Sequence, residues 1–496
     1  MRNIINMWSQ REVTMYGKIL LTKTFILAQF NFLVSCLPSP SETRIKEIDK
    51  MILSFVRSFR SAQKLSKDII QLDKNQGGLN LTLLKEQIIG LKISWIIRLI
   101  SNSNQGWKDI VNNAIPLKNN EFWRCNIKKE DCKAVFNHYK KIPFFWKDVI
   151  VKWANYNFGE PSNISDILGQ VLWFNSFIKN SNNEMICYTA CYNSGIFCIK
   201  DLICNNKLAT FIEISRKFPN ARLNFINYYA IISMIPARWK NVMNNYFTNS
   251  PYSGLDISNY NINYLKKFKK TCAAVVKISR EKMSAFPIAA FNKWQQNVNS
   301  NLDRNTFLKL FQNMYWLTKD TKLLIFQYKL LHRQLITNRN LNLWDQRLAP
   351  EERRSDLCYF CKNETEHLEH LLYNCPIVKQ FWSNVFTWIA QHSNLYINFT
   401  MAEILLCGAP DDLSIFNLIF IIGKKYIFDC KNLDQNLNIY LFKYKVKTYF
   451  VLLTTVTQGV YCCWRKVWII CLGCPHVYRA TGQHKLSLDP TGRYPA

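Results

Sequence analysis

Apolar and polar positions recur at helical spacing along four stretches of this chain. Residues 1 to 36 alternate charged and apolar blocks at that spacing, Pro38 and Pro40 interrupt them, and a second helical run follows from Ser41 to about Phe59. After a turn marked by Gly77 and Gly78, the pattern is helical again from Leu83 to Ile100, with Trp95 on the apolar face. From Thr321 to Arg339, Leu324, Tyr328, Leu331 and Leu335 fall on one helical stripe and Lys322, Lys329 and Arg333 on the opposite one. The expectation is a mainly α fold in which this last helix packs one face and turns a cationic face outward, so that Lys322, Lys329 and Arg333 either lie along a phosphate backbone or form an ordinary amphipathic surface.

Between about 101 and 300 the chain is rich in Asn, Lys and aromatics. There Tyr264-Leu-Lys-Lys-Phe-Lys-Lys270 places Lys266, Lys267, Lys269 and Lys270 around a phenylalanine, the composition of a solvated loop and equally one that can hold phosphates and stack a base. After about Val456 the character shifts again. Cys462, Cys463, Cys471 and Cys474 crowd with aromatics, and the end of the chain reads as a disordered tail. The resulting partition is 1–100, a helical connector at 101–300, a helical C-terminal domain at 301–455, and the tail at 456–496.

Charge narrows the class of partner. Across 496 residues, 64 Lys and Arg stand against 34 Asp and Glu, a net charge of +30, while hydrophobic residues hold at 48%. A chain this apolar folds, and one this basic seeks an anionic partner, either RNA or DNA or an anionic membrane surface. The 17 cysteines are scattered without a disulfide framework, which points to a reducing, intracellular setting, with nucleus and cytoplasm as the expected locations. Gln29 and Asn31 interrupt the apolar run from Thr24 to Leu37, and Arg465 and Lys466 interrupt Val460 to Cys474, so no membrane span is expected.

The chemistry gathers in one window, Cys358-Tyr-Phe-Cys361-Lys-Asn-Glu-Thr-Glu-His367-Leu-Glu-His370-Leu-Leu-Tyr-Asn-Cys375-Pro376. It holds two of only seven histidines in the chain beside a Cys-x-x-Cys turn. Zn²⁺ takes four thiolate or imidazole ligands in a tetrahedron, and Cys358, Cys361, His370 and Cys375 supply that set. His370 sits five residues before Cys375, and Pro376 breaks the chain so that Cys375 turns back. His367, three residues earlier on the same helical face, is the alternative ligand or a hydrogen-bonding support. A second grouping, Cys471, Cys474 and His476, lacks a further ligand pair at comparable spacing.

Three stretches together resemble the C-terminal part of the reverse transcriptase of non-LTR, LINE-type retrotransposons. The first comprises Trp8-Ser-Gln-Arg11, Gly17-Lys18-Ile19, Leu37-Pro38 and Gly77-Gly78-Leu79, similar to the thumb that follows the polymerase palm. The second runs from Tyr315-Trp316 through His332-Arg333 to Thr337-Asn338 and Leu341. The third is the Cys358 to Cys375 window followed by Trp382. The resemblance covers about residues 1 to 100 and 310 to 450, and in it Cys358, Cys361, His370 and Cys375 stand where the family's metal ligands stand. It implies a thumb-like region, a connector and a zinc-bearing domain that bind RNA or DNA.

The family's catalytic carboxylates, usually an aromatic-x-Asp-Asp hairpin holding two divalent metals, have no counterpart. The one Asp-Asp pair, Asp411-Asp412, follows Ala409-Pro410 and lacks the aromatic two places before it. The expected role is therefore binding, with a palm-containing reverse transcriptase as a further partner. The alternatives are part of an active polymerase once joined to a palm, or the inactive product of a decayed element.

Overall fold

The computed structural model describes residues 1–57, 65–101, 105–115, 122–155, 159–249, 271–281, 286–298, 301–393, 399–408 and 416–456. The lysine cluster at 266–270, the Asp411-Asp412 pair and the segment 457–496 lie outside these residues. The fold is mainly α, as the periodicity predicts. The strand pair among the described residues is a ribbon of Ile203–Cys204 against Lys207–Leu208. Asn205 and Asn206 both take left-handed φ in its two-residue turn, the geometry that closes a right-twisted hairpin.

The chain divides into two compact units. One contains Met1–Glu12, Lys18–Phe59 and Leu81–Ser284. Its organising element is the helix Leu84–Ile100, against which Ala28–Cys36, Glu42–Arg57, Phe144–Asn155 and Thr271–Glu281 pack. The start of that helix is tied down by buried polar groups: the Leu84 amide donates to Asp49 at 2.8 Å, and the Leu83 amide donates to Glu86 at 3.3 Å. Arg280 pairs with Glu86 at 3.3 Å and donates to the Leu81 carbonyl at 3.0 Å. Lys92 is buried in mid-helix beside Asp148 at 3.5 Å, and burial holds its ammonium below the usual lysine range against the pull of that carboxylate. Around Trp173 and Trp239, short helices between 122 and 249 build an aromatic-rich core.

The consecutive helices Met15–Ile26 and Ala28–Cys36 meet at a bend of 41°. Among the described residues no single helix is long and apolar enough to cross a membrane, although this bent pair passes by length and composition.

The other unit contains Val13–Gly17, Arg60–Asn80 and Ala285–Ala496. Helices Arg304–Leu317, Thr321–Leu331, Pro376–Ser393, Phe416–Asn432 and Ile439–Val456 form its frame. Asp303 and Asp320 cap the first two by accepting from amides of the first turn. The glycine turn docks onto this frame: Gly77 has φ +80°, and its carbonyl accepts from Tyr328 Oη at 3.2 Å and meets His332 Nε2 at 2.9 Å. His332 is fully enclosed there, and burial pushes its pKa down to about 4.

The Thr321–Leu331 helix corrects one expectation. Leu324, Tyr328, Leu331 and Leu335 are buried as the stripe predicts, but so are Leu323, Ile325, Phe326, Gln327 and Leu330. The helix is enclosed nearly all round, so it has no continuous cationic face. Lys322 is exposed, whereas Lys329 is half-buried, with burial lowering its pKa. Arg333 lies past the helix end at φ +54°, pairs with Glu369 at 2.7 Å, and rests over the Trp294 ring at 4.5 Å. The reason is tertiary: Arg304–Leu317 and Phe416–Asn432 both pack against this helix.

Candidate metal centre

The Cys358–Cys361 turn is a small hairpin. Leu357 and Thr365 form an antiparallel bridge, the Cys358 amide donates to the Glu364 carbonyl at 2.7 Å, and Lys362 takes φ +59° to close the turn onto the Cys358 carbonyl. Downstream, His370 opens a single wide helical turn through Asn374, closed by the Cys375 amide on the His370 carbonyl at 2.9 Å. Pro376 begins the next helix, Pro376–Ser393, which leaves Cys375 at its N-terminal edge.

These pieces bring Cys358, Cys361, His370 and Cys375 together, with their ligand atoms all within 4.8 Å of one another. Cys358, His370 and Cys375 are buried and Cys361 is half-buried. Cys361 Sγ lies 3.3 Å from His370 Nε2. Zinc–sulfur bonds near 2.3 Å place tetrahedral thiolates about 3.8 Å apart, so the donor set fits a zinc ion both in chemistry and in spacing.

The electrostatics are those of a thiolate cradle. Burial raises the Cys358 thiol to about 12, opposed by backbone hydrogen bonds from Cys361 and Phe360, and burial also raises Cys375 against the first-turn amides of Val378 and Ile377. At Cys361 burial again pushes upward. There the amides of Asn363 and Glu364, with His370 and Cys358, outweigh it and bring the thiol to about 6. Each sulfur is thus met by amides two and three residues further on, which favours the charged form a metal requires.

On the far side of the imidazole, His370 Nδ1 lies 3.0 Å from the Glu364 carboxylate, leaving Nε2 directed at the cluster. His367 is not part of the cluster; its ring is held by Arg339 at 2.8 Å from Nδ1, and burial together with that guanidinium lowers its pKa. The hairpin is anchored by Glu366, fully buried, which accepts from the Asn338 amide at 2.8 Å and the Tyr359 amide at 2.9 Å and pairs with Lys431. Trp382 donates from Nε1 to the Leu372 carbonyl at 2.9 Å, fixing the turn between His370 and Cys375 against the following helix.

Glu364, Glu366 and Lys431 were not signalled by the sequence. Both glutamates look like solvated loop residues in the sequence; the fold buries Glu366, while Glu364 stays exposed and only its contact with His370 marks it. Of the predicted nucleic-acid contacts, Lys322 is at the surface, Lys329 and Arg333 are drawn into the packing, and Lys266, Lys267, Lys269 and Lys270 lie outside the described residues.

A Cys₃His set of this kind could hold a metal ion, and it has the ligand complement of structural zinc sites, in which four protein ligands leave no open position for substrate. Residues 292–382 match the family described as zinc-binding in reverse transcriptase. That span includes Cys358, Cys361, His370 and Cys375. No curated protein matches the chain.

Proposed function

We propose that this chain is the zinc-bearing, nucleic-acid-binding portion of a LINE-type reverse transcriptase and acts by holding RNA or DNA rather than by polymerising. The Cys₃His cage inside the matched segment carries this reading. Zinc would be held by Cys358, Cys361, His370 and Cys375 and would supply folding free energy to the hairpin and the helix that follows. The net charge of +30 supports a polyanionic partner, and the thumb-like residues near Trp8, Gly17 and Gly77 support the family. Catalysis would fall to a palm in a joined or partner polypeptide, since Asp411-Asp412 lacks the aromatic and apolar setting of a palm hairpin. Such a role belongs in nucleus and cytoplasm.

The test uses the full chain, purified reduced and without chelator. Elemental analysis should find close to one zinc per chain, lost in Cys361→Ser. Fluorescence anisotropy should show binding to RNA and DNA, and primer extension with Mg²⁺ or Mn²⁺ should show no incorporation. Metal-free protein would overturn the zinc assignment, and absence of binding at low salt would overturn the nucleic-acid reading. Incorporation abolished by Asp411→Ala with Asp412→Ala would overturn the non-catalytic one.

A further inference from the structure

The helix Ile439–Val456 packs one face and exposes another of unusual composition. Phe442 and Val446 are fully buried, with the Phe442 ring against Phe381 at 5.2 Å and Tyr426 at 5.8 Å. On the opposite side Tyr440 is 76% exposed, Tyr444 69% and Leu441 56%, an extreme exposure for tyrosines on an ordered helix. Lys443 lies between the two tyrosines, half-buried, with its ammonium 5.8 Å from the Tyr440 ring; Lys445 and Lys447 follow Tyr444 and are exposed, the Lys445 ammonium leaning over the Tyr426 ring at 5.0 Å. Neither this helix nor the neighbouring Pro376–Ser393 contains an acidic residue. Asp429 of the adjoining helix is already paired with Lys425.

The rings are held on a rigid base. Asn438 Oδ1 accepts from the Tyr440 amide at 2.8 Å and the Leu441 amide at 3.2 Å, and Tyr426 Oη donates to the Asn438 carbonyl at 3.0 Å. Among the described residues no other aromatic ring stacks on Tyr440 or Tyr444.

We propose that this face is a binding platform for unpaired nucleotides of a single strand, with Tyr440 and Tyr444 stacking bases and Lys443, Lys445 and Lys447 holding the phosphates between them. The proposal rests on the nucleic-acid reading above but concerns a surface on a different helix from the metal cage. Residues four apart rise about 6 Å along a helix. That is close to twice the roughly 3.4 Å separating stacked bases of one strand, so each ring has room to enter between neighbours of an extended strand. Stacking needs a free base face, which a duplex withholds, and lysines interleaved with aromatics are the composition that binds single strands without reading sequence. Charge decides against an apolar protein partner: three lysines without a carboxylate on their own helix complement a polyanion.

The experiment compares the full zinc-loaded chain with Tyr440→Ala/Tyr444→Ala and Tyr440→Phe/Tyr444→Phe, using anisotropy with a fluorescent oligothymidylate and with a duplex of equal length. The Ala pair should lose on the order of tenfold affinity per ring for the single strand and far less for the duplex, while the Phe pair stays near the parent. Unchanged single-strand affinity in the Ala pair, alongside nucleic-acid binding by the parent, overturns this proposal and leaves the broader reading intact. So does an equal loss on strand and duplex, or a parent dimer in sedimentation that the Ala pair converts to monomer, which would make a second copy the occupant. A parent that binds neither probe overturns both. Equal zinc content and circular dichroism in all three proteins confirm that the fold is retained.

Discussion

At the residue scale, the two histidines of the metal window separate by what each ring nitrogen meets. His370 Nε2 faces Cys361 while Nδ1 is held by Glu364, and His367 is engaged by Arg339. His370→Ala should therefore release zinc to a competing chromophoric chelator, and His367→Ala should leave retention close to the parent. Glu364→Gln should weaken retention about tenfold to a hundredfold, because the carboxylate fixes the imidazole's orientation and basicity. His332 supplies a pH signature away from the metal. Its folded pKa, about 4, lies below the ordinary value of 6.5, so the neutral ring's contribution is complete above pH 6.5 and is lost as pH falls toward 4. Urea unfolding should show the parent losing about 3 kcal/mol more than His332→Gln between pH 7 and pH 4.

At the scale of elements, two helices show packing overriding local preference. A glycine inside a helix normally costs stability relative to alanine. Gly423 sits in the helix Phe416–Asn432 where an added Cβ would fall 2.5 Å from the Trp382 ring, and that ring is fully buried. Gly423→Ala should thus destabilise by about 2 kcal/mol in urea titration, the opposite sign to the propensity effect. In the Thr321–Leu331 region, Arg333→Gln breaks a largely buried pair with Glu369 and should cost about 3 kcal/mol. Lys322→Gln, at an exposed position, should stay within about 0.5 kcal/mol of the parent. The helical stripe read from the sequence identified the packed face correctly. It could not show that the supposed free face is covered too, because periodicity reports preference for burial and not the number of neighbours that arrive.

At the scale of the molecule, the excess of 30 positive charges makes the proposed nucleic-acid binding testable by salt. Each phosphate neutralised releases counterion, so the log–log slope of affinity against salt should be roughly 0.7 to 0.9 per contact. Titrating salt between low and physiological levels should show a steep, near-linear fall for both RNA and DNA. Metal removal should be local. Chelation should raise hydrogen exchange across the hairpin at 356–366 and the start of Pro376–Ser393, where ligands and the Glu366 anchor hold the chain, and leave the aromatic core around Trp173 and Trp239 protected.

The sequence by itself determined the mainly α character and the buried stripe of Leu324, Tyr328, Leu331 and Leu335. It also singled out the window of candidate ligands, Cys358, Cys361 and Cys375 with His370 or His367, because helical periodicity and close spacing are local properties of the chain. The tertiary structure decided what depends on distant partners. It enclosed Lys329, drew Arg333 onto Glu369 and Trp294, gave His367 to Arg339, and buried Glu366 against Lys431. It left Tyr440 and Tyr444 facing outward from a helix whose composition alone reads as core. A charged or aromatic side chain carries no mark of its depth in the sequence; the elements that pack around it assign that depth.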